Sequence, residues 1–412
     1  MKAGYFIFLA AILASLVSCD MISSSRAMLW TDRPEFAFYA EHFNAAQNKF
    51  KIEVRYFESP ARRLTEPGEP PDIVAASWLN SAPTRALFRP LDKIIAKDDM
   101  AYFYPQLLSL GNFDKRQYLL PVSFNIPAMV FAEDLNHSPS NHFTIEMEEI
   151  KERAKAYNAM AGGEYTRMGF SLSSNDDFLF LAAALFGTAF REASPIAWES
   201  QSLERSIAWV RNWIAEANTS VQQEDDFAYK YFYDPPEKLI NSGRILYAYM
   251  DSSHFFTLPE EHRANLDFRW IAAGEMIPLD EGCVYYGIHR RTRARKAAEA
   301  FTIWFFKAET QKLLLEAGKS KRLHETSFGI AGGFSAMRTV TERIFPQFYP
   351  SLIGHIPSES SLSPANILPR NWLSIKERVI LPFLRERVRH ENREDVRPLE
   401  RRIADWNRLN RE

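Results

Sequence analysis

Two short stretches set an indole beside hydrogen-bonding groups: Trp30-Thr31-Asp32-Arg33 and Ser77-Trp78-Leu79-Asn80. An aromatic face buries carbon-bound hydrogens while carboxylate, amide and guanidinium groups meet hydroxyls, so this pairing suits a ligand with apolar faces and many hydroxyl groups. Asp251-Ser252-Ser253-His254 and Ser173-Ser174-Asn175-Asp176 repeat the polar half of the pattern later in the chain. Packing competes with recognition at each place. Trp30 serves as well as core at a strand end, Asp32 is placed to cap a helix, and His254 suits a cap or a core position better than a ligand contact.

Covalent chemistry finds less support. Gly318-Lys319-Ser320 resembles the end of a phosphate-binding loop, but Leu313 occupies the position of the required upstream glycine. Gly169-Phe170-Ser171-Leu172-Ser173 lacks the second glycine of a nucleophile elbow. The nine histidines show no metal-ligand spacing, and no HExxH is present. The neighbouring acids Asp176-Asp177 and Asp280-Glu281 are the residue type a glycoside hydrolase uses, although acids adjacent in sequence usually open helices or fill turns. The chain is read as a binder and not an enzyme, without cofactor or metal.

The elements that must position these residues follow a βαβ pattern. Ala27 to Trp30 reads as a buried strand, and Pro34 opens a helix with Phe36, Tyr39, Ala40 and Phe43 on one face. Lys51 to Phe57 alternates as a strand, Asp72 to Ala76 is a second buried one, and Leu87 to Ile95 reads as a helix. The predicted solution is an α/β fold whose ligands sit beyond the carboxyl ends of its strands. Tyr118 to Phe131 is apolar and β-prone but broken by Pro121 and Pro127, which fits a segment passing between two domains better than one long central strand. Arg167 to Leu172, Arg244 to Met250 and Cys283 to His289 read as further strands. The expected helices are one from Asp177 stopped at Gly187, one with Leu203, Ile207, Val210 and Ile214 inward, a long one near Ala294 to Glu316, and a kinked one over Trp372 to Leu384. Ser358 to Pro364 reads as irregular, and the Arg/Glu-rich tail as a solvated closing helix.

The 412-residue chain carries a net charge of -2, which argues against a nucleic-acid partner. At its start, Lys2 and an apolar run from Ala3 to Val17 have the layout of a secretion signal, too short for a span of roughly 20 residues. Leu16-Val17-Ser18 before Cys19 resembles the bacterial lipobox, so residues 1–18 are expected to be removed, Cys19 to be acylated, and 19–26 to act as tether. Cys283 is then the sole remaining cysteine, which excludes an internal disulfide. About 390 residues remain, enough for two domains.

From Trp30 through Pro71-Asp72-Ile73-Val74, then Leu120-Pro121 to Phe131 and Glu133-Asp134-Leu135, the sequence resembles the extracellular solute-binding proteins of ABC importers, in the family that contains the maltose-binding protein. The resemblance implies a two-lobed periplasmic-binding-protein-like α/β fold of type II. Each lobe would be a mixed, mostly parallel sheet flanked by helices, with a ligand cleft between the lobes. The lobes would comprise 27–124 plus about 285–330, and 125–282 plus about 331–412. It implies a monomeric, lipid-anchored receptor outside the cytoplasm that captures a sugar or oligosaccharide and hands it to membrane permease subunits. The implied binding residues are Trp30, Asp32, Arg33, Trp78, Asn80, Asn125, Asn175, Asp176, Asp251, Ser252, Tyr285 and Trp372. Cys283-Val284-Tyr285 departs from the glycine-rich run common there, and Phe328 to Gly333 lacks the usual proline near the third crossing. A polyamine, which wants acids beside aromatics, and a glycerol phosphate-type solute, which would want Arg33, are the alternative ligands; a secreted glycoside hydrolase is the alternative activity.

Overall fold

The computed structural model describes residues 25–133, 138–390 and 395–410. The signal, lipobox and Cys19 expectations fall outside those residues. The chain divides into two compact units: one runs to Ser123 and adds Cys283–Phe348, the other holds Phe124–Gly282 and Tyr349–Glu412.

In the first unit Leu29, Ile73, Val74, Ala75 and Ala76 are wholly buried, as parallel strands covered on both faces require. Arg26–Thr31 pairs in parallel with Lys51–Tyr56 on one side and Ile73–Ser77 on the other. Val284–Ile288 joins Ile73–Ser77 antiparallel and pairs in turn with Leu120–Phe124, and Phe334–Ser335 closes the six-stranded sheet. The helix Glu35–Ala45 buries Phe36, Tyr39, Ala40 and Phe43, the face its spacing predicts. Three expectations fail here. Leu87–Ile95 forms turns and no helix, because Pro90 breaks the segment and Phe88 bridges to His289. The long helix divides into Arg295–Phe305 and Ala308–Ser320, with Gly318 inside the second instead of ending it. The unit also extends to Phe348 and not to about 330, since Phe334–Ser335 is a strand of its sheet.

The second unit is built on a mixed four-stranded sheet. Pro127–Ala132 lies between Ala248–Asp251 and Leu266–Ala272, antiparallel to both, and Leu266–Ala272 pairs in parallel with Thr144–Glu146. The proline-broken stretch is thus two short strands, and the division between units falls between Ser123 and Phe124. Pro127 is tolerated because it opens its strand. The helix Ser200–Ala217 buries Leu203, Ile207, Val210 and Ile214 as its spacing requires. The expected strand at Arg167–Leu172 is shorter and earlier, Glu164–Arg167, in a hairpin with Ala159–Ala161. Ser358–Pro364 is regular where irregularity was expected: Leu362–Ser363 pairs with Ile277–Pro278. Trp372–Ile375 continues through a π-helical turn, Lys376–Ile380, into Leu381–Arg389. Pro382, which lacks an N–H and crowds the preceding turn, gives that local widening a cause.

Gly169 leads into the polar stretch before the helix Asp176–Leu185. A Cβ there would stand 2.2 Å from the Ala154 carbonyl oxygen and 2.3 Å from its Cα, both backbone atoms that cannot swing aside. Gly169→Ala is therefore expected to cost about 3 kcal/mol in denaturant unfolding. Gly282→Ala, where a Cβ meets nothing within 4 Å, should cost far less. Equal losses would contradict this packing.

Candidate functional site

A cavity of about 370 Å³ opens within the second unit. Its apolar wall combines aliphatic side chains such as Leu181, Met276 and Leu368 with an aromatic group. Phe180 and Phe190 stack with centroids 5.8 Å apart, and Trp372 meets them at 6.1 and 5.5 Å. Tyr249, on the strand Ala248–Asp251, lines the same space, with its ring 6.0 Å from Phe178. Phe180 comes from the helix Asp176–Leu185, whose next turn supplies Ala184, and the Trp372 helix supplies Lys376 one turn on. Pro278 to Glu281 and Ser363 to Asn366 complete the lining, held by the pairing of Ile277–Pro278 with Leu362–Ser363.

Charge is concentrated at one end. The Lys376 ammonium lies 2.6 Å from Glu281 Oε1, 3.4 Å from Asp177 Oδ1 and 4.5 Å from the Phe180 ring centroid. Trp372 Nε1 donates to the same Glu281 oxygen at 3.3 Å. Glu281 thus fixes both a cation and an indole of the wall. Burial alone would push the Lys376 ammonium down, but the charge and hydrogen bond of Glu281, with Asp177 and Asp280, hold it above its usual value. Asp280 shows the opposite balance: burial first, then the carboxylates of Asp251 and Glu281, drive its pKa well above the ordinary range against a smaller pull from Lys376. Tyr249 is raised by burial and then by Asp280, Asp177, Asp251 and Glu281.

Of the expected site residues in this unit, only Trp372 lines the cavity. The others are committed to the fold. Asn175 caps its helix, accepting from Phe178 N–H at 3.0 Å. Asp176 pairs with Arg385, whose Nε donates to it at 2.9 Å. Asp251 caps the helix Ser252–Thr257 by accepting from His254 N–H at 2.7 Å. Ser252 is buried, its hydroxyl donating to Asn125 Oδ1 at 2.7 Å and accepting from Ile126 N–H. Asn125 works locally too, its carbonyl accepting from Asp280 N–H at 3.0 Å and so helping to place that carboxyl. The sequence reading missed Phe180, Phe190, Tyr249, Asp280 and Lys376. One signal was available: Lys376 follows Trp372 by four, the same helix face.

The first unit holds the remaining expected residues at the carboxyl ends of Arg26–Thr31 and Ile73–Ser77. Asp32 does not cap the next helix, whose N-terminal Pro34 has no side-chain cap; it accepts instead from Ser77 N–H at 3.2 Å. Arg33 Nε stands 3.5 Å from Asp32, and another guanidinium nitrogen donates to Ser77 Oγ at 3.1 Å. Burial raises the Asp32 pKa, with Arg33 opposing. Trp78 adopts a left-handed backbone (φ 57°), a conformation that costs a bulky residue energy and is found where a fold needs a particular side chain at a turn. Trp30 is core, packed 4.7 Å from Phe57, and Asn80 is buried. Tyr285 is buried, with its hydroxyl donating to the Leu107 carbonyl at 3.1 Å.

Among the described residues no group of three or more His, Cys, Asp or Glu is placed to hold a metal ion, and no helix is long and apolar enough to cross a membrane.

No protein-family model matches the sequence, and no curated protein matches it. Solved structures do match the fold along nearly the whole chain. A cyclo/maltodextrin-binding protein complexed with maltotetraose is 15% identical with a TM-score of 0.64, covering 94% of this chain and 98% of its own. The cyclic alpha-maltosyl-1,6-maltose binding protein of Arthrobacter globiformis is 12% identical with a TM-score of 0.62, over 92% and 96%. An ABC substrate-binding protein from Listeria monocytogenes in complex with cycloalternan is 14% identical with a TM-score of 0.62, over 93% and 98%. The fold expected from the sequence, α/β and two-lobed like that of the maltose-binding proteins, is therefore the fold observed.

The raised pKa of Asp280 has a consequence for stability. An unfolded aspartate loses its proton near pH 4, whereas the native Asp280 keeps it to higher pH. Above about pH 4 the native state binds more protons than the unfolded one, so this group removes stability as pH rises. Asp280→Asn is expected to melt above the parent at about pH 7, with the gap closing towards pH 4. A pH-independent difference would contradict the assignment.

Proposed function

We propose that this chain is the exported, lipid-anchored binding component of an ABC importer, and that it captures a carbohydrate at the second unit's cavity and releases it unaltered to membrane permease subunits. The observation that carries the reading is the wall of Phe180 and Phe190, braced by the wholly buried Trp372, beside Asp177, Asp280, Glu281 and Lys376. Aromatic faces match the carbon face of a pyranose, and hydrogen bonds from its hydroxyls to charged groups contribute roughly 1.5 to 3 kcal/mol each. The sugar-bound relatives of the same fold support the choice of solute class. The lipobox-like Leu16-Val17-Ser18-Cys19 supports export and anchoring.

A glycerol phosphate-type solute fits less well. Among the described residues lining the cavity the only cation is Lys376, and it is already held by two carboxylates. Of the acids a hydrolase could use, Asp176 is engaged by Arg385 and Glu281 by Lys376 and Trp372, and the solved structures of the same fold are of binding proteins, which favours capture over hydrolysis.

Intrinsic tryptophan fluorescence titrated with a panel of oligosaccharides, followed by chromatography of the recovered sugar, tests the reading. A saturable change is expected, weakened at least tenfold by Phe190→Ala, with the sugar returned intact. Hydrolysed sugar would move the assignment to an enzyme. For the anchor, the membrane-associated fraction of the full chain should fall sharply on Cys19→Ser; unchanged partitioning would remove the anchor from the account.

A further inference from the structure

Resting on the carbohydrate reading, we infer that the solute of this cavity carries a protonated amine on its sugar frame. Three acidic side chains, Asp177, Asp280 and Glu281, line a space whose other walls are aromatic and aliphatic, and Lys376 is the single cation among the described lining residues. That ammonium is spent inside the group, 2.6 Å from Glu281 and 3.4 Å from Asp177. Its third face is closed by the Phe180 ring.

A neutral sugar would leave this imbalance in place. Asp280 and Glu281, the two shielded carboxyls, repel one another, and relief comes from a proton or from a cation. Asp280 leans towards the first: burial, then Asp251 and Glu281, raise its pKa, with Lys376 opposing and Asp177 adding a smaller push. A ligand ammonium supplies the second. Asp177 is suited to receive it, with a side chain 61% exposed and a single ion-pair partner distance of 3.4 Å, longer than that of Glu281. The aromatic wall serves the same ligand, because ring faces attract cations as well as sugar carbons. Such a solute favours the ionised form of Asp280, so affinity rises with pH over the range in which the ligand amine stays protonated, whereas a neutral sugar binds without that gain.

Calorimetric titration of the full chain with a glucosamine trisaccharide, its fully N-acetylated counterpart, maltotriose and spermidine tests the inference. The glucosamine trimer is expected to bind at least tenfold more tightly than the N-acetylated one, to lose affinity with added salt, and to release protons on binding. Asp177→Asn, at a largely exposed position, should shrink the preference several-fold, and Asp280→Asn should abolish proton release. Equal or tighter binding of maltotriose or the N-acetylated trimer overturns the amine while leaving the carbohydrate reading intact. Binding of spermidine alone, or of none of the four, overturns both.

Discussion

One ammonium group, that of Lys376, holds the candidate site in shape. Its contact with Glu281 ties the Trp372 helix to the segment that follows the Ile277–Pro278 strand, and Glu281 in turn fixes the Trp372 indole. The pair is only about one-seventh exposed on either side, so it is formed where a lone charge would be expensive. Breaking one partner would leave the other uncompensated beside Asp177 and Asp280. The aromatic wall and the acidic end of the cavity therefore stand or fall together.

The π-helical turn belongs to the same arrangement. It begins at Lys376, directly after the short helix that carries Trp372, and ends one residue before Leu381-Pro382. Widened turns of this kind occur frequently where helices carry functional groups. Here the turn separates a cavity-lining segment from the Leu381–Arg389 helix, whose Phe383, Leu384 and Val388 are core. Helix ends around the cavity are likewise fixed: Asn175 and Asp251 serve as caps of the elements that follow Asn175 and the Tyr249 strand.

Much of the architecture was legible because hydrophobic spacing reports burial directly. Phe36, Tyr39, Ala40 and Phe43, and the Leu203 to Ile214 series, are inward where period 3.6 puts them. Breaks depending on local geometry were not: the interruption at Phe306–Lys307 has no glycine or proline to announce it. The site was less legible than the fold. Polar residues at strand ends look alike in sequence whether they cap a helix or meet a ligand, and Asn175, Asp176, Asp251 and Ser252 each make a contact within the fold that spacing alone does not announce. Asp280 and Lys376 are distant in sequence and acquire their meaning only through the ladder that joins Ile277–Pro278 to Leu362–Ser363.

The most direct test is a crystal structure of the chain grown with the tightest-binding sugar of the panel. The account predicts a pyranose ring against Phe180 and Phe190, with polar atoms within about 3.2 Å of Asp177 and Asp280. A bound sugar that makes no contact with the second unit's aromatic wall, leaving this cavity to solvent, would contradict it.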